Sequence, residues 1–294
     1  MAPIVNLKAF DIVLTTSYEF KFGVCGHLYE MIDYYWAIKN WTNLNPCILL
    51  TDGTTLEEFD RAVEQKYDDL QVAKVVYHPA PRVIIANNLL VVDGSPRLRD
   101  ADLLVDNVFL FRCSESDFSY YKKKRVFLLQ DNEIYDDRPE GVTVIDYKKK
   151  ILFSKYKQYN NTVTDTAMFY LTDVCRALSQ QELNESIAKH GFKNNIVLTN
   201  APQLYDMENV FQVPVNDLWD KFSTYIYTKV PRQIDCSSRF ILECMYYGKD
   251  VIYDIDYYDR ALEVRKKDGL NGTSLTKDDA FLKLLDEQIK HRSD

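Results

Sequence analysis

The sequence predicts an α/β protein built on two open parallel sheets. Three observations carry that expectation. Apolar runs of strand length alternate with capped, amphipathic helical segments in both halves of the chain. The alternation lapses around residues 136–165 and then resumes, which divides the chain into domains at 1–150 and 151–294. A length of 294 residues at 46% hydrophobic supplies enough apolar material for two cores.

The elements follow in chain order. AFDIVLTTS (9–17) is a strand-like apolar run, and YEFKFGVCG after it is a loop. HLYEMIDYYWAIKN is a helix with apolar residues at 28, 31, 32, 35 and 36. PCILLTDG (46–53) is a strand, and TTLEEFDRAVEQ opens a helix on a threonine cap with an acidic first turn. VAKVVYH (72–78), VIIANNLLVVDG (83–94), NVFLFRC (107–113) and RVFLLQD (125–131) extend the strand inventory, the second with an Asn-Asn suited to a hairpin turn. ILFSKYKQY reads as a strand near the connection, and a helix is expected near 166–189. NNIVLTN (194–200), VFQVPV (210–215) and TYIYTKV (224–230) read as strands, with a short helix at NDLWDKF. After a helix beginning near Ser237 and the strand VIYDID (251–256), the chain closes on SLTKDDAFLKLLDEQIK. That last helix carries Phe281, Leu282, Leu284, Leu285 and Ile289 on one side, as a docking helix would.

Composition narrows the function classes. No run of about eighteen apolar residues occurs, so no membrane span is indicated. The first residues, MAPIVNLKAFDIVL, lack the basic start and small-residue cleavage site of a signal peptide, which leads to an expected cytoplasmic location. The cysteines at 25, 47, 113, 175, 236 and 244 form no CxxC pair and the four histidines are scattered, so reduced thiols are expected and no metal site. A net charge of −8 argues against bulk electrostatic binding of nucleic acid. Three local basic clusters stand out against it: Lys122 to Arg125, Lys148 to Lys150 and Arg265 to Lys267. With 21 tyrosines, the chain suits either a cleft with stacking surfaces or a Tyr-rich core.

IDCSSRFILECMYYGKDVIYDID, residues 234–256, is the segment richest in chemistry. Phe240, Ile241, Cys244 and Met245 fall on one helical face, while Arg239 and Glu243 share another. An arginine in a first turn opposes the helix dipole, and Arg before Glu is the weaker order for an i,i+4 pair. A bound anion would remove the conflict. Free N–H groups, the Ser237 and Ser238 hydroxyls and the guanidinium would converge on a phosphate, with Asp235 capping the helix and Glu243 accepting from a ribose diol. An exposed Arg–Glu pair is the plainer alternative.

The serine-rich turn, the helix carrying a glutamate, the Gly–Lys turn and the strand resemble the donor-nucleotide segment of GT-B glycosyltransferases. RVFLLQDNE (125–133) is similar to the "LvQDyE" strand end of some nucleotide-sugar transferases, with Asn132 in place of the aromatic. The resemblance covers about a fifth of the chain, and the glycine-rich stretch of the family's donor site is absent. It implies two Rossmann-like domains facing a cleft, with the last helix docking back. The N-terminal domain would bind the acceptor and the C-terminal one a UDP- or GDP-sugar as co-substrate, with no tightly bound cofactor. It assigns donor binding to Ser237, Ser238, Arg239 and Glu243, and to Tyr227 and Thr228 on the preceding strand end. In size and style the chain also resembles the compact glycosyltransferases of large DNA phages. That resemblance implies a hydroxymethylated or already glycosylated pyrimidine in DNA as acceptor, base flipping, and a host cytoplasm.

On the acceptor side, Gly23 and Gly26 allow a substrate to approach the backbone, and His27 stands at the helix start as a base or phosphate donor, or as a capping histidine. Asp131 and Glu133 end a strand, where an inverting transfer needs a general base. Lys155 and Lys157 would flank Tyr156 and neutralise a leaving diphosphate, or else protect an edge strand. The Asp254–Asp256 pair lies on a strand end and Asp136–Asp137 in a turn, so no metal is invoked. Competing classes are a saccharide or small-molecule acceptor, a non-catalytic nucleotide- or partner-binding protein of the same fold, and an epimerase. The last is disfavoured because no GxGxxG follows the first strand.

Overall fold

The structure, a computed structural model, describes residues 5–6, 10–15, 26–50, 56–68, 70, 82–85, 90–93, 103–104, 106–111, 125–130, 142–146, 150–160, 162–172, 178–213, 218–228, 239–258 and 260–290. Chain contacts divide it into two units, Met1–Tyr156 with Gly272–Asp294, and Lys157–Asn271. The expected partition had left the last residues with the second half. They belong instead to the first unit, where a parallel bridge joins Ile151 to Ser274.

The first unit holds β1 (Val5–Asn6), β2 (Ile12–Thr15), α1 (Gly26–Trp41), β3 (Pro46–Leu50), α2 (Leu56–Lys66), β4 (Arg82–Ile85), β5 (Leu90–Asp93), β6 (Leu103–Leu104), β7 (Asn107–Phe111), β8 (Arg125–Gln130) and β9 (Val142–Asp146). Among the described residues β1 pairs only with β6. The other strands form a seven-stranded sheet in the order β4-β5-β3-β2-β7-β8-β9. Every pairing is parallel except the antiparallel β4 with β5, in which Ile85 faces Leu90, and the Asn-Asn between them lies outside the described residues. Starting from β2, the chain builds outward through β3 and β5, then returns to build the other way through β7, β8 and β9. That is the doubly wound order, and it reverses between β2 and β7.

Near the end of the chain, its last described helix, α6 (Ala280–Lys290), packs onto this unit. Phe281 meets Tyr34 of α1 edge-on with ring centroids 5.8 Å apart, and Phe109 of β7 at 5.2 Å. Leu282, Leu285 and Ile289 are buried with it, but Leu284, expected on the same side, is exposed. The docking helix is therefore an aromatic and aliphatic closure of the first core.

The second unit holds β10 (Thr166–Leu171), α3 (Gln180–His190), β11 (Asn194–Thr199), β12 (Val210–Gln212), β13 (Thr224–Tyr227), α4 (Arg239–Tyr246), β14 (Asp250–Tyr253) and α5 (Arg260–Asp268). Its sheet is wholly parallel in the order β12-β11-β10-β13-β14, with the reversal between β10 and β13. Alternate side chains serve opposite faces. Ala167, Phe169, Leu171, Val197 and Ile226 pack with Leu183 of α3, whereas Met168, Tyr170, Ile196, Leu198, Tyr225 and Tyr227 pack with Ile241 and Cys244 of α4.

Several elements differ from expectation. TAMFYL, expected within a helix, is the central strand β10, because a strand covered on both faces is continuously apolar and so loses its period-two signal. ILFSKYKQY is not a strand. Ile151 and Tyr156 make isolated bridges, and Phe153–Lys155 forms one turn of 3-10 helix with Leu152 and Phe153 both buried. Within NDLWDKF the described residues form a 3-10 turn at Leu218–Asp220, and α5 was not anticipated. α3 is framed by a capping box, in which Ser179 Oγ accepts from the Glu182 N–H and the Glu182 carboxylate accepts from the Ser179 N–H. It stops at Gly191, whose φ of 66° is left-handed.

Candidate functional site

In a doubly wound sheet the carboxyl ends of the strands flanking the order reversal splay apart, and ligands bind in the opening between them. In the second unit those strands are β10 and β13. Thr172, just past β10, and Thr228, just past β13, are both buried, and the Thr228 hydroxyl has no partner among the described residues. On the neighbouring strand end, the Tyr253 hydroxyl of β14 is likewise buried and unpartnered. Burial pushes its pKa up to about 12, so it is a neutral hydroxyl at ordinary pH. Two buried hydroxyls without partners at one edge of a sheet call for an explanation.

α4 begins where the chain returns from β13. Its Arg239 and Glu243 do not form the exposed pair considered above. The Arg239 Nε donates to Glu243 Oε1 at 2.8 Å, and both side chains are 4% exposed. Burying two charges is costly, and a pairing of this kind fixes the guanidinium's direction. Ile241, Leu242 and Cys244 around them are fully buried, while Phe240 and Met245 are partly exposed. The division into a sheet face and a polar face is thus only half right, because the polar face is covered as well. The Gly–Lys turn has a local role. Gly248, with φ 67°, ends α4, and the buried Lys249 donates from Nζ to the Phe222 carbonyl at 2.7 Å. Burial lowers the Lys249 pKa from its ordinary value.

The other donor expectations fare unequally. Tyr227 is fully buried among Tyr225, Tyr253 and the α4 face, so its ring belongs to the core. Ser237 and Ser238 lie outside the described residues, as does Asp235. Lys155 and Lys157 do not flank a tyrosine on one strand. Lys155 ends the 3-10 turn in the first unit with Nζ 4.9 Å from the Trp36 ring centroid. Lys157 opens the second unit, and its carbonyl accepts from the Tyr247 hydroxyl.

In the first unit, the reversal lies between β2 and β7, and α1 starts on the chain returning from β2. Gly26 is its first residue and His27 its second. His27 Nδ1 is 2.8 Å from Glu30 Oε2, with the histidine side chain 22% exposed and the glutamate fully buried. One turn on, Asp33 is also fully buried and accepts from the Tyr67 hydroxyl at 2.9 Å. Glu30 was not anticipated. A signal existed, since α1 is apolar nearly all round and any acid within it must be buried. Gly23, Asp131 and Glu133 lie outside the described residues.

Asp254, one half of the Asp-x-Asp pair, is consumed by local contacts. Ser186 Oγ donates to it at 2.6 Å, Lys189 ion-pairs with it, and His190 Nε2 lies 3.0 Å away. Burial raises its pKa and these donors outweigh that effect, leaving it below the ordinary value. Among the described residues no group of three His, Cys, Asp or Glu side chains is arranged to hold a metal ion, and no helix is long and apolar enough to cross a membrane. Cys47 and Cys244 are buried and in no disulfide among the described residues, and burial pushes the Cys47 thiol well above its usual pKa.

The fold and these two polar clusters define an α/β protein with two doubly wound parallel sheets, each with buried polar groups near its order reversal. No family model and no curated protein matches the chain. Among solved structures it is similar to a mutant O-GlcNAc transferase of Thermobaculum terrenum, at 10% sequence identity and a TM-score of 0.45. The likeness covers 95% of this chain and 62% of that one, so this chain spans about three-fifths of that protein's length.

Proposed function

We propose that the protein is a glycosyltransferase that takes a sugar from a nucleotide-sugar donor, with the donor nucleotide on the second unit and a hydroxyl acceptor on the first. The observation that carries this reading is the repetition of one doubly wound parallel order in both units of the chain. Such a sheet offers one ligand crevice at its reversal, so two sheets offer two crevices, as a two-substrate transfer requires. The reading is supported on the donor side by the Thr228 hydroxyl and the buried Arg239–Glu243 pair, which suit a diphosphate and its ribose. On the acceptor side it is supported by His27, a partly exposed imidazole backed by a buried carboxyl group, the usual composition of a general base.

The acceptor is proposed only as a hydroxyl compound. Of the basic clusters that suggested DNA, Lys150 is engaged by Asp279 and Lys266 by Glu263, which lends a duplex acceptor no support. The test is a thermal-shift screen of the whole protein against UDP- and GDP-sugars and the free diphosphates, followed by assay of donor hydrolysis and transfer. A ligand at a hundred times its Kd should add about 2.7 kcal/mol of stability. A shift with turnover supports the proposal. A shift without turnover makes the protein a nucleotide binder instead, and no shift with any of these ligands at millimolar concentration removes the donor site.

A further inference from the structure

We propose that Asn271–Gly272 is a site of spontaneous deamidation, at which the asparagine becomes an isoaspartyl residue of the main chain. It is the one Asn-Gly step in the sequence. Asparagine is among the thermolabile side chains, and a glycine after it offers a backbone nitrogen that no Cβ shields. The reaction consumes water alone. The Gly272 nitrogen loses its proton to solvent base and attacks Asn271 Cγ. A C–N bond forms, the Cγ–Nδ2 bond breaks, and the amide nitrogen leaves as ammonia. Water then opens the five-membered imide at either carbonyl. One opening gives an aspartyl residue. The other leaves the main chain running through Cβ and Cγ, one methylene longer than before. Either product carries a new carboxylate.

The fold leaves this step open to the reaction. Both residues are exposed, and nothing lies within 4 Å of where a Cβ on Gly272 would stand. Among the described residues neither the Gly272 N–H nor the Asn271 side chain makes a hydrogen bond, so neither reacting group is held away from the other. Asp268–Gly269, close by in the chain, shows the opposite case. The same imide route exists for an Asp-Gly step, but the Gly269 N–H donates to the Arg265 carbonyl at 2.9 Å where α5 ends. A nitrogen committed to that bond is withheld from attack. Position gives the reaction a consequence. The chain passes from the second unit to the first between Asn271 and Gly272. Just beyond, the Ile151 N–H donates to the Thr273 carbonyl at 2.8 Å and the Leu275 N–H to the Ile151 carbonyl at 2.9 Å, with Thr273 fully buried. A methylene inserted ahead of this pairing displaces backbone groups that burial requires to stay paired. The isoaspartyl protein is therefore the less stable form.

The test keeps the whole protein in warm, mildly alkaline buffer and follows residues 266–275 by peptide mass spectrometry, with the same residues as a free peptide in parallel. Deamidation reads as a gain of one mass unit, and electron-based fragmentation separates isoaspartyl from aspartyl. Asn271 should convert at a rate within a few-fold of the free peptide, with isoaspartyl as the major product, and faster as pH rises. Asp268 in the folded protein should convert far more slowly than in the peptide. Gly272→Ala should slow conversion at Asn271 several-fold. Asn271→Gln, whose longer side chain disfavours the ring, should do the same and serves if the alanine variant does not fold. The isolated isoaspartyl form should unfold at a lower urea concentration than Asn271→Asp, which gains the charge without the methylene. A native rate an order of magnitude or more below that of the peptide, a purely aspartyl product, or an Asp268 that converts as readily as in the peptide overturns the proposal. An isoaspartyl form as stable as Asn271→Asp overturns its structural consequence. None of these readouts depends on the transferase reading.

Discussion

Breaking the Arg239–Glu243 pair one residue at a time should damage the fold before it damages any binding. Each side chain is 4% exposed and the contact is 2.8 Å, so neither charge has water to fall back on. Two unit charges about 4 Å apart attract by about 4 kcal/mol at an effective dielectric of about 20, and this offsets the cost of desolvating them. Arg239→Met or Glu243→Leu removes the attraction and leaves the other charge buried, at a cost of about 3–5 kcal/mol. For a unit of this size that corresponds to a fall in Tm of roughly 10–20 °C. The double variant removes both charges and should recover most of the loss, because two apolar side chains of similar volume are close to neutral in place of a buried pair. The assay is urea denaturation of the four proteins as a double-mutant cycle, with nucleotide-induced thermal shifts measured alongside. The double variant should fold and fail to respond to nucleotide. Single variants within about 1 kcal/mol of the native protein, or a double variant no more stable than the singles, would refute the reasoning.

Other outcomes follow from the same structure. Phe281→Ala should cost about 3–5 kcal/mol by opening the aromatic contact with Tyr34 and Phe109, and near-native stability in denaturant would mean that α6 is not part of the first core. Ser179→Ala should cost about 1 kcal/mol by removing the α3 capping box, measured by the same melts. The Asp254 carboxyl, with its pKa below the ordinary value, contributes stability that is full above the ordinary carboxylate range. That contribution is lost as pH falls through the native pKa. Asp254→Asn should therefore lower stability at neutral pH and flatten the acid limb of the stability profile. Glu182, lowered by its backbone and side-chain hydrogen bonds with Ser179, acts in the same window with the same sign.

What the sequence determined by itself is the local part. Period-three and period-four apolar spacing marked α1 and the docking face of α6, a threonine cap with an acidic first turn marked α2, and the Asn-Asn between two apolar runs marked the β4–β5 hairpin. These signals survive without tertiary context because each follows from residues a few positions apart. Strand order does not, since nothing in TAMFYL says that it pairs with both β11 and β13, and its unbroken apolar run suited a helix equally well. The sites divide in the same way. Arg239 and Glu243 could be put on one face by their spacing, but only the packing of α4 decided that the face is covered and that the two residues hold each other. His27 could be noticed at a helix start. Glu30 became its partner only because α1 is enclosed on nearly every side, which leaves a buried carboxyl group one turn below the ring. Burial is a property of what surrounds a helix, and that is settled by residues far away in the chain.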